Sequence, residues 1–574
     1  MDDFQLPTPN RVEPTMRNLF AAIFFFCLTT CIIATEHVIV VAPKPFHQSL
    51  DPWQKYRTAQ DYTIHLVTPS PEATPEQIKE RIVELAKQTP ISAILLVGNA
   101  VLRERQGTSG GVVPTQTMAS QSIQDYGGKE SMASDSWYAD FDDDGVPDAA
   151  IGRFAVATPQ ELDHLIGKTI RYEKQQPEVW CRNLELTTGD GHFSPFLDQI
   201  IESATRTILT NFVPNHWHLE LIHLNWRSRF SPFPPEIRDE MVRSLKRESL
   251  FWVYVGHGHP QRLEPYFTPL GNIRTLHCQD VEEQFWSRKQ STDARPIAVL
   301  LCCHTGAMDA PRQSFGEALV ASPEGPVAAL AASQLTTPYG MAQLGVELLQ
   351  EISRNTQFVP QKASRVTFGA VVLAAKRNML QNNMLKRKDD TEISADGKRQ
   401  QKPHQIPIRE QIDLLAQSFD PHSKKLTEQL EDHVHLFNIF GDPLLALPIP
   451  NPITLQCTVN RQAATVEVKG ELERNSNVKT VLVEMLPALD SMTLTDPSRT
   501  EFRVDPESEK EYRDTFSKAN DRVLFRQTVS VVDDRFSVEI PVRKSRHKMI
   551  VRVFGQNGAA AFAGGTEGPP FQNR

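Results

Sequence analysis

From Glu36 onward, short apolar runs alternate with stretches whose apolar residues recur every three or four positions. HVIVVA (37–42) and ILLV (94–97) are continuous apolar runs, as expected of strands covered on both faces. Between them Thr74-Pro75-Glu76-Gln77 opens a helix: Thr74 can cap, Pro75 suits the first turn and Gln77 closes the box. Ile78, Ile82 and Leu85 then fall on one face. Thr158-Pro159-Gln160-Glu161 repeats this signal before Leu162, Leu165, Ile166 and Thr169. Further apolar runs, 250–255, 297–301 and 327–332, are separated by helical stretches such as 235–248. Strands alternating with helices predict a mostly parallel α/β sheet with flanking helices. Ligands of such sheets sit beyond the carboxyl ends of the strands.

Two segments break this rhythm. Residues 376–405 are polar and charge-rich, and are expected to form an exposed loop open to proteolytic nicking. After Leu445, Pro448, Pro450 and Pro452 mark a junction, and no long helical pattern follows. Phe536, Val538, Ile540 and Val542 alternate with polar or proline positions, and Ile550, Val551 and Val553 begin another strand, which predicts a β-sandwich.

The N-terminus carries LFAAIFFFCLTTCIIA (19–34), preceded by Met16-Arg17-Asn18. It is too short for a comfortable membrane span, which needs about 20 residues. It has the proportions of a signal-peptide core over 1–34, with Ala34 at the cleavage point and translation starting at Met1 or Met16. The bland alternative is a buried first helix or an uncleaved anchor. Export to the periplasm, the cell surface or the medium is the expectation, with membrane contact only through this segment. The net charge of −9 supplies no basic field for nucleic acid. With 40% hydrophobic and 23% charged residues, the chain is neither largely disordered nor a multi-span membrane protein. Seven cysteines in 574 residues are too few for a disulfide scaffold. Cys181, Cys278, Cys302, Cys303 and Cys457 lie beyond the leader.

Chemistry concentrates at two strand ends. WVYVGHGHP (252–260) runs from an apolar strand into Gly256-His257-Gly258-His259, and AVLLCCHTGAMD (298–309) runs into Cys302-Cys303-His304-Thr305-Gly306. About 40 residues and one helical segment separate them, a crossover length that can set the strands side by side. A thiolate is a nucleophile, and a nearby imidazole can activate it and protonate the leaving amine. The glycines let the backbone turn tightly, and the amides of Gly258 and Cys303 could serve as an oxyanion hole. A lone cysteine or histidine after a buried strand is usually packing; the joint pattern is what points to catalysis.

These residues resemble the caspase–legumain–gingipain clan of cysteine peptidases, and within it the gingipain family. The likeness rests on SDSWYADFDDDGVPDAAIGRF (134–154), KTIRYE (168–173), YVGHG (254–258), CCHTG (302–306), FGEAL (315–319) and FNIFGDPLL (437–445), in the family's order. The resemblance implies a caspase-like catalytic domain over 35–449, in two subdomains split near residue 180. An immunoglobulin-like domain over 450–574 would follow. It implies endopeptidase activity on proteins or peptides, with no cofactor needed for the chemistry. His257 and Gly258 match the His-Gly motif. Cys303 matches the nucleophile, because Gly306 lies three residues on, while Cys302 stands where the family often has alanine. Asp135 is a candidate orienting acid.

The acidic stretch Asp140-Phe-Asp142-Asp143-Asp144-Gly145-Val-Pro-Asp148 spaces oxygen ligands as calcium loops do, although position 12 is Ile151 rather than a bidentate Glu. Asp140, Asp142, Asp144 and Asp148 are candidate ligands of a structural calcium; a solvated acidic turn is the alternative. The resemblance offers a third role, in which Asp144 lines a specificity pocket for a basic residue before the scissile bond. Gly107-Thr-Ser109-Gly-Gly111 satisfies G-x-S-x-G but lacks the strand and helix that a serine elbow needs. Two rivals stay open: a zinc-dependent hydrolase built on His257, His259, Cys302, Cys303 and His304, and a non-catalytic exported adhesion or assembly protein on a peptidase-like scaffold.

Overall fold

The computed structural model describes residues 36–103, 111–190, 213–285, 292–357, 365–389, 408–460, 462–489, 496, 498–542 and 548–568. The expected leader at 1–34 and the serine of the G-x-S-x-G stretch lie outside them.

Ten strands form the central sheet: β1 (Glu36–Val41), β2 (Tyr62–Val67), β3 (Ile91–Val97), β4 (Ala150–Phe154), β5 (Asn183–Thr188), β6 (His218–His223), β7 (Phe251–Val255), β8 (Ile297–Leu301), β9 (Ala328–Ala332) and β10 (Phe437–Phe440). Their order is β2-β1-β3-β4-β10-β9-β8-β7-β5-β6. Every neighbouring pair is parallel except β9 and β10, where Ala332 faces Phe437 and Ala329 faces Phe440. That single reversal has a consequence for function: the amino end of β4 and the carboxyl ends of β7, β8 and β9 open onto the same sheet edge.

Helices cover both faces. α1 (His47–Thr58), α3 (Pro159–Lys174), α4 (Ile237–Lys246), α5 (Cys278–Phe285) and α6 (Phe315–Ala321) line one core, and α7 (Pro338–Gln357), α8 (Phe368–Asp389), α9 (Ile408–Phe419) and α10 (Leu426–Leu436) line the opposite one. α2 (Pro75–Ala86) covers β1 and β3 through Ile78 and Ile82. The capping signals hold. Thr74 and Gln77 form the capping box of α2, and Thr158 accepts from the Glu161 N–H at the start of α3.

Two expectations need correction. Residues 376–389 are not loop but the second half of α8. Lys376 is buried, and its Nζ donates to Ser136 Oγ at 2.7 Å and to the Phe437 carbonyl at 2.6 Å. A polar sequence was read as solvated when its first cation is threaded into the core. The C-terminal part does contain a long helix, α11 (Pro506–Asn520), opened by a capping box from Asp505 to Ser508. It shields the sheet's edge: Asn520 Oδ1 accepts from the Leu221 N–H at 2.8 Å and its Nδ2 donates to the Leu221 carbonyl at 3.1 Å.

Around α11 the C-terminal part is β-rich, with β11 (Asn451–Pro452), β12 (Thr454–Asn460), β13 (Thr465–Glu471), β14 (Thr480–Pro487), β15 (Phe525–Ser530), β16 (Arg535–Pro541), β17 (Met549–Gln556) and β18 (Ala561–Gly568). They make a five-stranded sheet, β11-β18-β17-β14-β15, and a three-stranded one, β12-β13-β16. One apolar core, with Val468, Val483, Ile540 and Val553 at its centre, joins both sheets.

Candidate active site

β7 and β8 carry the two motifs and lie side by side, parallel, with Phe251 opposite Ile297 and Val255 opposite Leu301. The pairing ends there, and the loops that carry His257 and Cys303 leave the sheet side by side, two residues beyond each strand. The two loops touch. A Cβ at Gly258 would fall 2.5 Å from the Cys303 carbonyl oxygen and 2.9 Å from Cys302 Sγ, so only glycine fits there.

Alternation along β8 sorts the two cysteines. Ala298, Leu300 and Cys302 face the core that holds Trp252 and Tyr254, whereas Val299 and Leu301 face the other. Cys302 is accordingly buried, 3.4 Å from Thr305 Oγ1, and burial pushes its thiol far above the ordinary range. A buried, protonated thiol is inert. Cys303 falls on the other parity and is half-buried. Its Sγ accepts a hydrogen bond from the Thr336 N–H at 3.3 Å and lies 3.4 Å from Thr336 Oγ1.

Thr336 belongs to the loop leaving β9, and α10 fixes that loop. The next residue, Thr337, donates its N–H to His433 Nε2 at 3.0 Å, and His433 Nδ1 faces the Gln429 carbonyl at 2.6 Å. That pattern requires a neutral ring protonated on Nδ1. Burial lowers the His433 pKa to about 4, in agreement. The turn after Cys303 is strained: His304 adopts φ 60°, its N–H donates to the Gln334 carbonyl at 3.0 Å, and Gly306 is pressed against the Ala331 carbonyl.

On the other strand His257 is exposed. Gly258 faces Leu263 across a short hairpin, and the bond from the Glu264 N–H to the His257 carbonyl (3.1 Å) makes this a non-hydrogen-bonded pair. The Gly258 N–H therefore points out of the hairpin. Beneath the loop, Tyr254 Oη lies 3.0 Å from the His257 carbonyl and 3.0 Å from Glu264 Oε1. Glu264 is 2% exposed and its Oε2 has no partner among the described residues. Burial first, with Asp190 adding to it, raises its pKa to about 8. Glu264, Thr336 and His433 stand in no motif of the sequence, and Tyr254 stands in YVGHG without being one of its chemistry-bearing residues.

Asp135 does not orient His257. Both its oxygens are held by Arg153 of β4, at 2.7 and 2.6 Å. β4 stands four strand spacings from β7, about 19 Å. The acidic stretch enters β4 at the shared edge. Asp140, Asp142 and Asp148 place their carboxylate oxygens within 4.8 Å of one another, the one such His/Cys/Asp/Glu group among the described residues. Asp144 stays outside this group, since its Oδ1 accepts from the Val146 N–H at 2.8 Å. His257, His259, Cys302, Cys303 and His304 form no such group, so the zinc reading lacks its geometry.

The family model described as peptidase family C25 matches residues 34–448. The chain belongs to that family. As a C25 member it is a cysteine peptidase, with proteins or peptides as substrates. No curated protein matches it. Among solved structures the C25 chain is similar to the Arg-specific cysteine proteinase gingipain R, at 12% identity and a TM-score of 0.48, over 93% of this chain and 98% of that one. The complex of the RgpB pro- and mature domains of Porphyromonas gingivalis gives 12% and 0.48, over 93% and 100%. Dimeric latent PorU of the same organism gives 12% and 0.32, over 94% and 43%.

Proposed function

We propose that this C25 peptidase is an exported endopeptidase whose nucleophile is Cys303 and whose general acid and base is His257. The observation that carries the reading is the parallel pairing of β7 and β8, from whose carboxyl ends the His257 and Cys303 loops leave side by side. The same alternation sends Cys302 into the core. The Thr336 amide stabilises negative charge on the Cys303 sulfur. The thiolate attacks the scissile carbonyl, and His257 protonates the departing amine. A water activated by His257 then hydrolyses the thioester. The outward N–H of Gly258 and that of Cys303 receive the oxyanion.

Further parts of the reading rest on lesser observations. Residues 1–34 act as the export signal, and among the described residues no helix is long and apolar enough to cross a membrane. The two C-terminal sheets on one core form an immunoglobulin-like module. Asp140, Asp142 and Asp148 would hold calcium, a hard cation suited to three carboxylates, in a structural role only. A preference for a basic residue before the scissile bond is supported by Asp144, exposed at the shared sheet edge.

The test is a pair of variants assayed on fluorogenic peptides that differ in the residue before the scissile bond. Cys303→Ala should abolish turnover and labelling by iodoacetamide at that site, with the melting temperature unchanged. Cys302→Ala should keep activity within about tenfold. Activity retained by Cys303→Ala would sink the assignment of the nucleophile, whereas a parent that cleaves none of the peptides would favour the non-catalytic scaffold reading.

A further inference from the structure

Resting on the role proposed for His257, we infer that Glu264 is a positioning residue that works as a neutral carboxylic acid, locking the main chain of His257 through Tyr254. Tyr254 Oη lies 3.0 Å from two groups, the His257 carbonyl and Glu264 Oε1. A hydroxyl has one proton to give. A carbonyl can only accept, so the Tyr254 proton goes to His257, and the second contact needs a proton from Glu264. The satisfied arrangement is Glu264 O–H to Tyr254 Oη, and Tyr254 O–H to the His257 carbonyl. Ionised, Glu264 would claim the Tyr254 proton and strip one of the two donors from His257.

The surroundings favour the neutral acid. Glu264 is 2% exposed, with one oxygen unpartnered among the described residues. Among the described residues no cation faces it: Tyr254 from β7 and the His257 main-chain amide favour its charged form, burial and Asp190 beyond β5 oppose it, and burial prevails, while Cys302 beyond β8 is neutral. Its pKa of about 8 agrees. Space for the side chain is made by two glycines: a Cβ at Gly189 would fall 1.5 Å from Glu264 Oε1, and one at Gly256 2.5 Å from it. Glu264 also holds His257 directly, donating its own N–H to the His257 carbonyl at 3.1 Å. The imidazole is thus aimed from below by a clamp on its peptide.

The sign follows. The lock is complete below the Glu264 pKa and is lost as pH rises through about 8. Glu264→Gln supplies an amide N–H in place of the acid proton at every pH. It should keep neutral-pH kcat within about threefold and lose the alkaline decline that Glu264 causes in the parent. Tyr254→Phe removes the bridge and should lower kcat about tenfold with KM little changed. Difference infrared spectra between the parent and Glu264→Gln should show a protonated carboxyl band near neutral pH, whatever the enzyme cleaves. Loss of neutral-pH activity in a folded Glu264→Gln variant, an unaltered alkaline limb, or absence of that band would overturn the inference. A parent that cleaves no peptide would sink the proposed function instead, and the infrared band would still decide the state of Glu264.

Discussion

Gly258→Ala probes the contact on which the proposed dyad geometry depends. The new methyl would lie 2.5 Å from the Cys303 carbonyl oxygen, 2.9 Å from Cys302 Sγ and 3.0 Å from Thr305 Cγ2. Ordinary contacts begin near 3.4 Å, so the His257 loop and the Cys303 loop must part by about 0.9 Å. Neither can yield cheaply. The Cys303 loop is tied to β9 by Gly306 N–H donating to the Ala332 carbonyl at 2.8 Å, and the His257 loop is tied to Glu264 from below. Overpacking of this kind costs about 1–3 kcal/mol of stability, and a displacement near 1 Å at reacting groups costs about a hundredfold in rate. The assay is kcat/KM on the best fluorogenic peptide, with thermal unfolding alongside. Gly167→Ala on α3 is the control. Its methyl meets only the flexible tip of Arg171 at 3.2 Å, so activity should hold and stability rise by up to about 1 kcal/mol. If Gly258→Ala kept kcat/KM within about threefold of the parent, the loops would have slack, and the register would no longer account for catalysis.

Two further outcomes concern parts far from the dyad. Calcium at a hundredfold excess over its dissociation constant should stabilise the fold by about 2.7 kcal/mol, read as a calcium-dependent rise in melting temperature that Asp142→Asn removes; equal melting with calcium and with a chelator would refute the site. Glu484 of β14 joins the C-terminal sheets to the catalytic part by accepting from Arg182 Nη2 at 3.0 Å, Arg552 Nε at 2.8 Å and Arg526 Nε at 2.8 Å. Burial alone would raise its pKa, but Arg552 and Arg182 overcome that and hold it down to about 2. Its contribution is therefore complete above the unfolded value of 4.5 and is lost as pH falls through about 2. Glu484→Gln should cost about 3–5 kcal/mol by stranding buried guanidinium groups, and should flatten the acid limb of the melting profile; an unchanged acid limb would refute the pairing.

What was legible in the sequence follows from which forces act locally. Apolar runs and capping residues announced β1, β3, β7, β8, α2 and α3 because each signal is complete within a dozen residues. The antiparallel junction of β9 and β10 was not legible, since strand order is decided by the returning segment 437–440, more than a hundred residues after β9. The stretches that carried the family resemblance divide in the same way. YVGHG and CCHTG hold the proposed chemistry, but the others are largely buried ion pairs across the fold. Glu173 of KTIRYE and Asp442 of FNIFGDPLL meet on Arg57, at 2.9 and 2.7 Å. Asp135 of SDSWY meets Arg153 of AIGRF at 2.6 Å, and Glu317 of FGEAL meets Arg103 at 3.0 Å. Breaking any of these would leave a lone charge in the interior, so such positions tolerate little change for reasons of folding alone. Asp135 reads as a candidate orienting acid on that account, because an acid within a shared motif looks the same whether its partner is an imidazole or a buried arginine. Glu264 is the converse case. It stands in the unremarkable segment LEPY, seven residues after His257, and only the hairpin fold turns it back beneath that residue.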